Sequence, residues 1–271
     1  MDCVVSIIFF HFYNNKIMQK PTTTVPLMDY SVYSGDLFNL NFSKKKLITT
    51  INQYSYCIGE KDPEFKNALL QSDVLLPDGM AIVSAIQHQK GKKIKKISGA
   101  DIHLHLLNHL NEKYGSCFYM GSSESTLLKI KERLATEFPN ISVGTYSPPF
   151  KTFFTNNENK IIVDAINDFS PDVVFVGMTA PKQEKWAFEH KTQLNAKTIC
   201  AIGAVFDFYA RTVKRPSSFW INLKLEWFIR LVKEPKRMWK RYLYYGPVFI
   251  GYILQNKKKS YFEIDQMGAR K

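Results

Sequence analysis

The sequence predicts an α/β protein with a Rossmann-like, mostly parallel sheet flanked by helices, followed by a basic helical C-terminal appendage. Three observations carry this prediction. Short apolar segments alternate with amphipathic segments of about ten to fifteen residues, which is the pattern of βαβ units. Turns that contain glycine or proline follow the apolar segments, as in LPDG and YMGSS. No internal repeat or low-complexity linker interrupts the alternation, so one parallel sheet accounts for it.

The individual elements follow in chain order. A strand and its exit loop are predicted for KLITTINQYSY, and a helix with Pro63 in its first turn is predicted for DPEFKNALLQS. The next strand is expected in DVLLPDG, and two helices are expected in MAIVSAIQHQKG and IHLHLLNHLNEKYG. A strand, a glycine loop and a helix are predicted for SCFYMGSSESTLLKIKERLATEFP. A helix, strand, loop and helix are predicted for KIIVDAINDFSPDVVFVGMTAPKQEKWAFEH, and a last strand for AKTICAIGAVFDF.

The cysteines, the histidines and the N-terminal segment restrict the compartment and the kinds of site that we expect. The four cysteines are scattered and form no CxxC pair, which favours a reducing compartment over a disulfide framework or a zinc site. His103, His105 and His109 suggest a metal site, but no convincing carboxylate accompanies them, so we expect no metal. Residues 1–24 contain an apolar run without a preceding basic residue, and we expect a poorly ordered leader rather than a signal peptide.

Positive charge is concentrated in the last fifth of the chain. From residue 211 onward there are fifteen basic and four acidic residues, which supply +11 of the formal net charge of +13. Such a module suggests nucleic acid, an anionic membrane or a phosphorylated ligand as partner. Apolar and basic residues are interleaved at helical spacing from Trp220, and Pro235 is expected to separate two helices.

This change to a strongly basic composition indicates two domains. We expect residues 25–219 to form the α/β domain and residues 220–271 to form a basic amphipathic appendage that lies in a membrane interface. The alternative for the appendage is a helix that packs on the core and leaves a basic face in solvent.

Asp78 is the strongest single candidate for chemistry. It follows the apolar run VLLP, at the predicted carboxyl end of a parallel strand, where open α/β sheets bind their ligands. A carboxylate there can accept the proton of an attacking hydroxyl in inverting sugar transfer. A basic group or a bound metal would offset the charge of the leaving diphosphate. An aspartate that caps the following helix is the alternative, and the residue pattern leaves both open.

Two loops at equivalent positions are candidate binding sites. The YMGSSES turn places Gly121 and Ser122 between a strand and a helix, where backbone N–H groups can hold a phosphate; a plain helix cap is equally compatible. The GMTAPKQEKW loop occupies the same position one unit later. Its Gln183 can donate and accept hydrogen bonds with sugar hydroxyls, and the alternative is the start of a surface helix.

Nine motifs occur in a characteristic order: TINQYSY, DPEF, SDVLLPDG, ISGADIHLHLL, FYMGSSESTL, GTYSPPF, PDVVFVGMTAPKQEKW, AIGAVFDFYA and LEWFIRLVKEPKRMWKRYL. Together they resemble the WecG/TagA/CpsF family of bacterial glycosyltransferases over about residues 25–245. The APKQE segment and the LEW, EP and R positions of the last motif are the most specific parts of this resemblance.

The resemblance implies an inverting transferase that needs no cofactor and acts at the cytoplasmic face of the bacterial cell membrane, as a peripheral enzyme of cell-envelope polysaccharide biosynthesis. The donor it implies is a UDP-sugar, with N-acetylmannosamine or its uronic acid in better known members, and the acceptor is a sugar on a polyprenyl diphosphate. It makes Asp78 the general base. The other expected site residues bind substrate (Thr50, Asn52, Lys96, Gln183 and Asp207), the nucleotide (Gly121, Ser122 and Tyr146), and diphosphate or membrane (Arg230, Arg237 and Lys240).

Two of these positions depart from the family pattern. The pocket arginine before the SG turn is Lys96 here, and the third basic position of the appendage is Lys240. Lysine retains the charge but lacks the bidentate fork of arginine, so diphosphate recognition is expected to change.

Two other functions are compatible with parts of the sequence. A basic nucleic-acid-binding protein accounts for the charged tail, but no helix-turn-helix or RNP signature is present, and we expect no nucleic acid partner. A nicotinamide dehydrogenase needs a complete glycine fingerprint, which is not convincing here. The sequence leaves open the donor sugar, the acceptor glycan and whether the chain forms a homo-oligomer.

Overall fold

The computed structural model describes residues 23–212, 228, 231–232 and 235–268 of the chain. The leader predicted for residues 1–24 lies almost entirely outside these residues. So do Arg230 and the side chain of Arg237, which were predicted to contact diphosphate or membrane.

Six parallel strands form the central sheet; five of them were predicted, and the strand over Ser142–Tyr146 was not. In chain order these strands are β3 (Lys46–Ile51), β4 (Val74–Pro77), β5 (Ser116–Gly121), β6 (Ser142–Tyr146), β7 (Val173–Gly177) and β8 (Thr198–Ala201). The spatial order is β4-β3-β8-β7-β5-β6, and every neighbouring pair is parallel. The carboxyl ends of all six strands therefore lie at one edge of the sheet. Two further strands, β1 (Thr24–Leu27) and β2 (Tyr30–Tyr33), form a separate antiparallel hairpin that the sequence analysis did not predict.

Helices separate the strands at the predicted places. Those of the α/β domain are α1 (Gln53–Gly59), α2 (Pro63–Leu70), α3 (Met80–Lys90), α4 (Gly99–Lys113), α5 (Glu124–Glu137), α6 (Asn156–Phe169), α7 (Lys182–His190) and α8 (Val205–Tyr209). The described part of the appendage contains α9 (Pro235–Trp239), one π-helical turn (Lys240–Tyr244) and α10 (Tyr245–Gly268). The α/β fold class is confirmed.

Two local predictions were wrong. The strand predicted over AKTICAIGAVFDF ends at Ala201, and the last residues of this segment belong to α8. The exit loop expected after β3 is helix α1. Asn52 caps this helix: its side chain accepts hydrogen bonds from the backbone N–H groups of Tyr54 and Ser55, both at 3.0 Å. The Ser55 hydroxyl in turn accepts from the Asn52 N–H at 2.8 Å, which completes a capping box. Serine is not the usual partner in this motif, so the helix start is easily missed in the sequence.

Both faces of the sheet are covered, which explains the continuous apolar strands. Along β5, Cys117 and Tyr119 pack in one buried cluster, whereas Phe118 and Met120 pack in another on the opposite face. Successive side chains of a strand point to opposite faces, so a strand with helices on both sides has no solvent-facing position. The sheet is thereby fixed as a rigid base for the loops at its carboxyl edge.

The appendage is docked on the α/β domain. Tyr245, Phe249 and Ile253 recur every four residues along α10 and are buried in a third cluster with the β1–β2 hairpin and α1. The opposite side of this helix exposes Ile250 and Leu254. Core packing, the alternative considered for the appendage, is thus present on one side, and an apolar surface remains on the other. None of the described helices is both long enough and apolar enough to cross a bilayer.

Candidate active site

A cleft of about 1470 Å³ lies at the carboxyl edge of the sheet. Its walls come from the segments that follow the strands, together with the π turn of the appendage. Seven of the predicted site residues line it: Thr50, Asn52, Asp78, Ser122, Tyr146, Gln183 and Asp207. They come from parts of the chain that are up to about 150 residues apart, and the parallel sheet brings them together because all its strands end at one edge.

Asp78 faces this cleft directly after β4. Its backbone N–H donates to the carbonyl of Ile51 at 2.9 Å, which extends the β3–β4 pairing to the last residue before the turn. Gly79, at a φ of 124°, is the N-cap residue of α3. Asp78 therefore lies one residue before the N-cap position.

Asn52 has a structural task as well as a place in the cleft. Because its carboxamide oxygen accepts the two capping hydrogen bonds of α1, its NH₂ group is the part that can serve a ligand. Thr50 lies two residues earlier, at the end of β3 and on the same wall.

The serine-rich turn after β5 combines packing with a helix cap. Gly121 has a φ of 118°, and a Cβ there would lie 2.4 Å from the carbonyl oxygen of Gly177 on β7. This glycine thus permits close backbone packing and is not among the residues that line the cleft. Ser123 caps α5 by accepting from the Thr126 N–H at 3.3 Å, so the helix-cap alternative holds for this turn. Ser122 contributes to the cleft wall.

Gln183 and Glu184 form a buried polar pair in the cleft wall. The side-chain NH₂ of Gln183 donates to Glu184 Oε1 at 2.7 Å. Burial raises the pKa of the Glu184 carboxyl to about 7, although the hydrogen bond from Gln183 and the charge of Arg241 act to lower it. Sequence reasoning identified Gln183 but missed Glu184, since nothing in a helical pattern indicates that two consecutive residues line one cleft.

Arg241, a basic residue of the appendage, lines the cleft, and the sequence analysis did not select it. Its guanidinium stacks on the ring of Tyr54, which also lines the cleft. Lys240, which the family resemblance assigned to diphosphate or membrane, is exposed and outside the described lining. Lys240 and Arg241 are consecutive residues of one π-helical turn.

Lys96 lies close to the cleft without being part of its described lining. It is half-buried and directly precedes Ile97, whose N–H donates to the carbonyl of Pro77 at 2.9 Å. Ser98, two residues further on, caps α4 and does line the cleft. Lys96, which replaces the family arginine, is thus adjacent to Ile97, and Ile97 is hydrogen-bonded to the residue before Asp78.

The three histidines have packing roles. His103 is buried with its Nε2 2.6 Å from the hydroxyl of Tyr119, and burial, helped by the charge of Arg133, lowers its pKa to about 3. His105 and His109 pack against the ring of Phe42. Within the described residues, no cluster of His, Cys, Asp and Glu could hold a metal ion.

A family comparison decides the class of protein. The model of the glycosyl transferase WecG/TagA/CpsF family matches residues 33–263. The chain belongs to this family. The resemblance carried by the nine motifs is thus confirmed, and the cleft is that of a glycosyltransferase.

Three similar proteins carry the same name, N-acetylglucosaminyldiphosphoundecaprenol N-acetyl-beta-D-mannosaminyltransferase. The relative from Bacillus subtilis strain 168 is 28% identical over 216 residues, which is 80% of this chain and 82% of that protein. The one from Bacillus spizizenii is 28% identical over 222 residues, 82% of this chain and 83% of that protein. The one from Staphylococcus aureus strain MW2 is 26% identical over 189 residues, 70% of this chain and 72% of that protein.

Proposed function

We propose that this glycosyltransferase moves a sugar, N-acetylmannosamine or a related hexose or uronic acid, from a UDP-sugar to an acceptor sugar on a polyprenyl diphosphate. The observation that carries the proposal is the position of Asp78, which faces a cleft that also contains Thr50, Asn52, Gln183 and Asp207. The names of the relatives support a lipid-linked acceptor and an N-acetylmannosamine product.

Asp78 acts as the general base in this proposal. Its carboxylate accepts the proton of the acceptor hydroxyl while that oxygen forms a bond to the anomeric carbon. The bond between the anomeric carbon and the diphosphate oxygen breaks on the opposite side, so the configuration inverts and UDP leaves with the bonding electrons. Arg241 and Lys182, two cations in the cleft wall, offset the charge that develops on the diphosphate. The scheme requires no metal or other cofactor.

The enzyme is proposed to work at the cytoplasmic face of the bacterial cell membrane, in cell-surface polysaccharide or teichoic-acid-type biosynthesis. Exposed apolar residues of the appendage, Trp239, Leu243, Ile250 and Leu254, supply a surface for the membrane interface. Arg241 lies among them in sequence and lines the cleft. A lipid-linked acceptor can then reach Asp78 while its polyprenyl chain stays in the bilayer.

The direct test is transfer by the purified full-length protein in anionic liposomes that contain polyprenyl-diphosphate-linked N-acetylglucosamine. UDP-N-acetylmannosamine, UDP-N-acetylglucosamine and UDP-N-acetylmannosaminuronic acid are offered separately, and the anomeric configuration of the product is determined by NMR. We expect one donor to give a β-linked disaccharide. Asp78→Asn should lower kcat by about 10²- to 10⁴-fold while UDP binding persists. The matched control is Asp164→Asn, a change of an exposed residue on α6.

Two results would contradict the proposal. If no UDP-sugar is transferred, the donor assignment fails; if Asp78→Asn turns over at the wild-type rate, Asp78 is not the base. DNA retention at physiological salt without UDP binding would favour the nucleic-acid alternative.

A further inference from the structure

Two oxygen atoms of the Gln183–Glu184 pair are buried without a hydrogen-bond partner in the described part of the chain. They are Oε1 of Gln183 and Oε2 of Glu184. The two side chains are only 6% and 2% exposed, and both residues line the cleft. A buried polar atom without a partner destabilises the folded state, so this arrangement suggests that a ligand supplies the partners.

The chemistry of these atoms restricts the ligand. A carboxamide oxygen and a carboxylate oxygen accept hydrogen bonds, so their partners must be O–H or N–H groups. A diphosphate at neutral pH offers acceptors only, so it cannot donate to the Gln183 oxygen, and it is repelled by Glu184 in its ionised form. A sugar ring offers several hydroxyl donors. The pair therefore suits the sugar part of a substrate and not its phosphate part.

The Gln183 oxygen is itself buried, and Gly203 packs closely beside it. Gly203 lines the cleft, and a Cβ at this position would lie 2.7 Å from Gln183 Oε1. A larger residue at position 203 would collide with that oxygen or displace it. The Gln183 NH₂ is already held by Glu184 Oε1 at 2.7 Å, and this contact fixes the orientation of both side chains.

The cleft also contains cations, which suit a different part of a substrate from the Gln183 and Glu184 oxygens. Arg241 and Lys182 line the same cleft and suit a diphosphate, whereas Gln183 and Glu184 suit hydroxyl groups. A nucleotide sugar carries both kinds of group, and so does a sugar diphosphate on a lipid. The cleft thus has the two complementary surfaces that either substrate needs.

We propose that Glu184 is a sugar-binding residue, whose Oε2 accepts a hydrogen bond from a ring hydroxyl beside the one bound by Gln183. This inference rests on the proposed function, and it adds Glu184 to the residues expected to touch substrate. The hydroxyl belongs either to the donor sugar or to the acceptor sugar.

Glu184→Gln is the informative variant, because it retains an oxygen to accept from Gln183 and replaces only the second acceptor by an NH₂ donor. Glu189→Gln, an exposed residue on the same helix, is the matched control. Calorimetry measures the affinity for UDP and for the UDP-sugar that is transferred, and kinetics measure KM for the lipid acceptor. We expect Glu184→Gln to leave UDP affinity within about twofold and to weaken either UDP-sugar binding or acceptor KM by about tenfold. The first result assigns the hydroxyl to the donor and the second assigns it to the acceptor.

A second measurement identifies the hydroxyl without relying on the variant alone. Analogues of the affected substrate in which a single ring hydroxyl is replaced by fluorine are compared in the wild type and in Glu184→Gln. Replacement of the hydroxyl that Glu184 binds should weaken binding to the wild type. The same replacement should weaken binding to Glu184→Gln only slightly, because that variant already lacks the hydrogen bond.

The possible failures are distinguishable. If the wild type transfers sugar and Glu184→Gln matches Glu189→Gln for both substrates, Glu184 has only a structural role and the inference is overturned. Equal weakening of UDP itself overturns it too, since UDP lacks the transferred sugar and only a nucleotide group, such as a ribose hydroxyl, could then contact Glu184. If the wild type transfers nothing from any UDP-sugar, the proposed function fails and this inference falls with it.

Discussion

The guanidinium of Arg241 lies 4.6 Å from the centroid of the Tyr54 ring, and both residues line the cleft. Tyr54 belongs to α1, whereas Arg241 comes from the π turn of the appendage, so this contact joins the two parts of the molecule at the site. The ring of Tyr245 packs edge-on against the same Tyr54 at 5.2 Å between centroids. Docking of α10 on the domain therefore determines where the Arg241 charge lies.

Replacement of Arg241 by alanine is expected to weaken UDP binding about tenfold or more, because a charge-assisted hydrogen bond contributes about 1.5–3 kcal/mol. Arg241→Lys should recover only part of this loss, since lysine keeps the charge without the planar group that stacks on Tyr54. Calorimetry with UDP in the absence of membranes measures the effect. Lys236→Ala changes an exposed basic residue on α9 and serves as the control. Unchanged UDP affinity in Arg241→Ala would rule out this contact with the diphosphate.

The buried carboxyl of Glu184 is expected to make stability depend on pH. Its pKa rises from 4.5 in the unfolded chain to about 7 in the folded protein. Between these values the folded state binds more protons than the unfolded state, so the free energy of unfolding falls as pH rises. From pH 5 to pH 8 the loss attributable to Glu184 is about 2–3 kcal/mol.

Chemical denaturation at pH 5 and pH 8 checks this prediction by comparing the wild type with Glu184→Gln. His103 acts in the opposite direction, because its pKa is lowered on folding and its contribution is lost as pH falls below about 6.5. Its effect is common to both proteins and cancels in the comparison. The variant should gain stability relative to the wild type as pH rises. A difference that is constant with pH would show that Glu184 does not titrate in this range.

The fold could be predicted because its signals are local. Apolar runs closed by turns predicted five of the six parallel strands, and Asp78 and Gln183 were identified from where such runs end. A parallel sheet converts that sequence position into a spatial one, since every strand ends at the same edge. The sequence therefore indicated the site as well as the fold.

The features that were missed depend on tertiary contacts. The exit loop of β3 became a helix through a reciprocal cap between Asn52 and Ser55. Glu184 is a candidate site residue only because one of its oxygens is buried without a hydrogen-bond partner among the described residues. Arg241 lines the cleft from a π turn of the appendage, which the sequence analysis did not predict. None of these relationships has a periodic signature in the sequence.

Gly121 is expected to be essential for the edge of the sheet that forms the cleft. Gly121→Ala would place a methyl group against the Gly177 carbonyl at a positive φ, which should cost about 2 kcal/mol or more. Gly251→Ala is the matched control, since nothing lies within 4 Å of a Cβ there and the residue is inside α10. That change should stabilise the protein by about 0.5–1 kcal/mol. Thermal unfolding of the two variants should thus shift in opposite directions, and a stable Gly121→Ala protein would refute the close packing of β5 and β7.

The outer face of α10 is expected to bind anionic membranes. Ile250 and Leu254 lie one turn apart on this helix and are 59% and 52% exposed, whereas its inner face is packed on the domain. Leu128 and Leu104, at 58% and 52%, are equally exposed on α5 and α4. If burial in the interface provides affinity, Ile250→Ser with Leu254→Ser should lower binding to phosphatidylglycerol liposomes about tenfold or more. Leu128→Ser with Leu104→Ser should leave it unchanged. Sedimentation with liposomes measures binding by both double variants. An equal loss of binding in the two would show that any new polar residues on the surface have this effect. No loss of binding in either would exclude this face of α10 as the membrane contact.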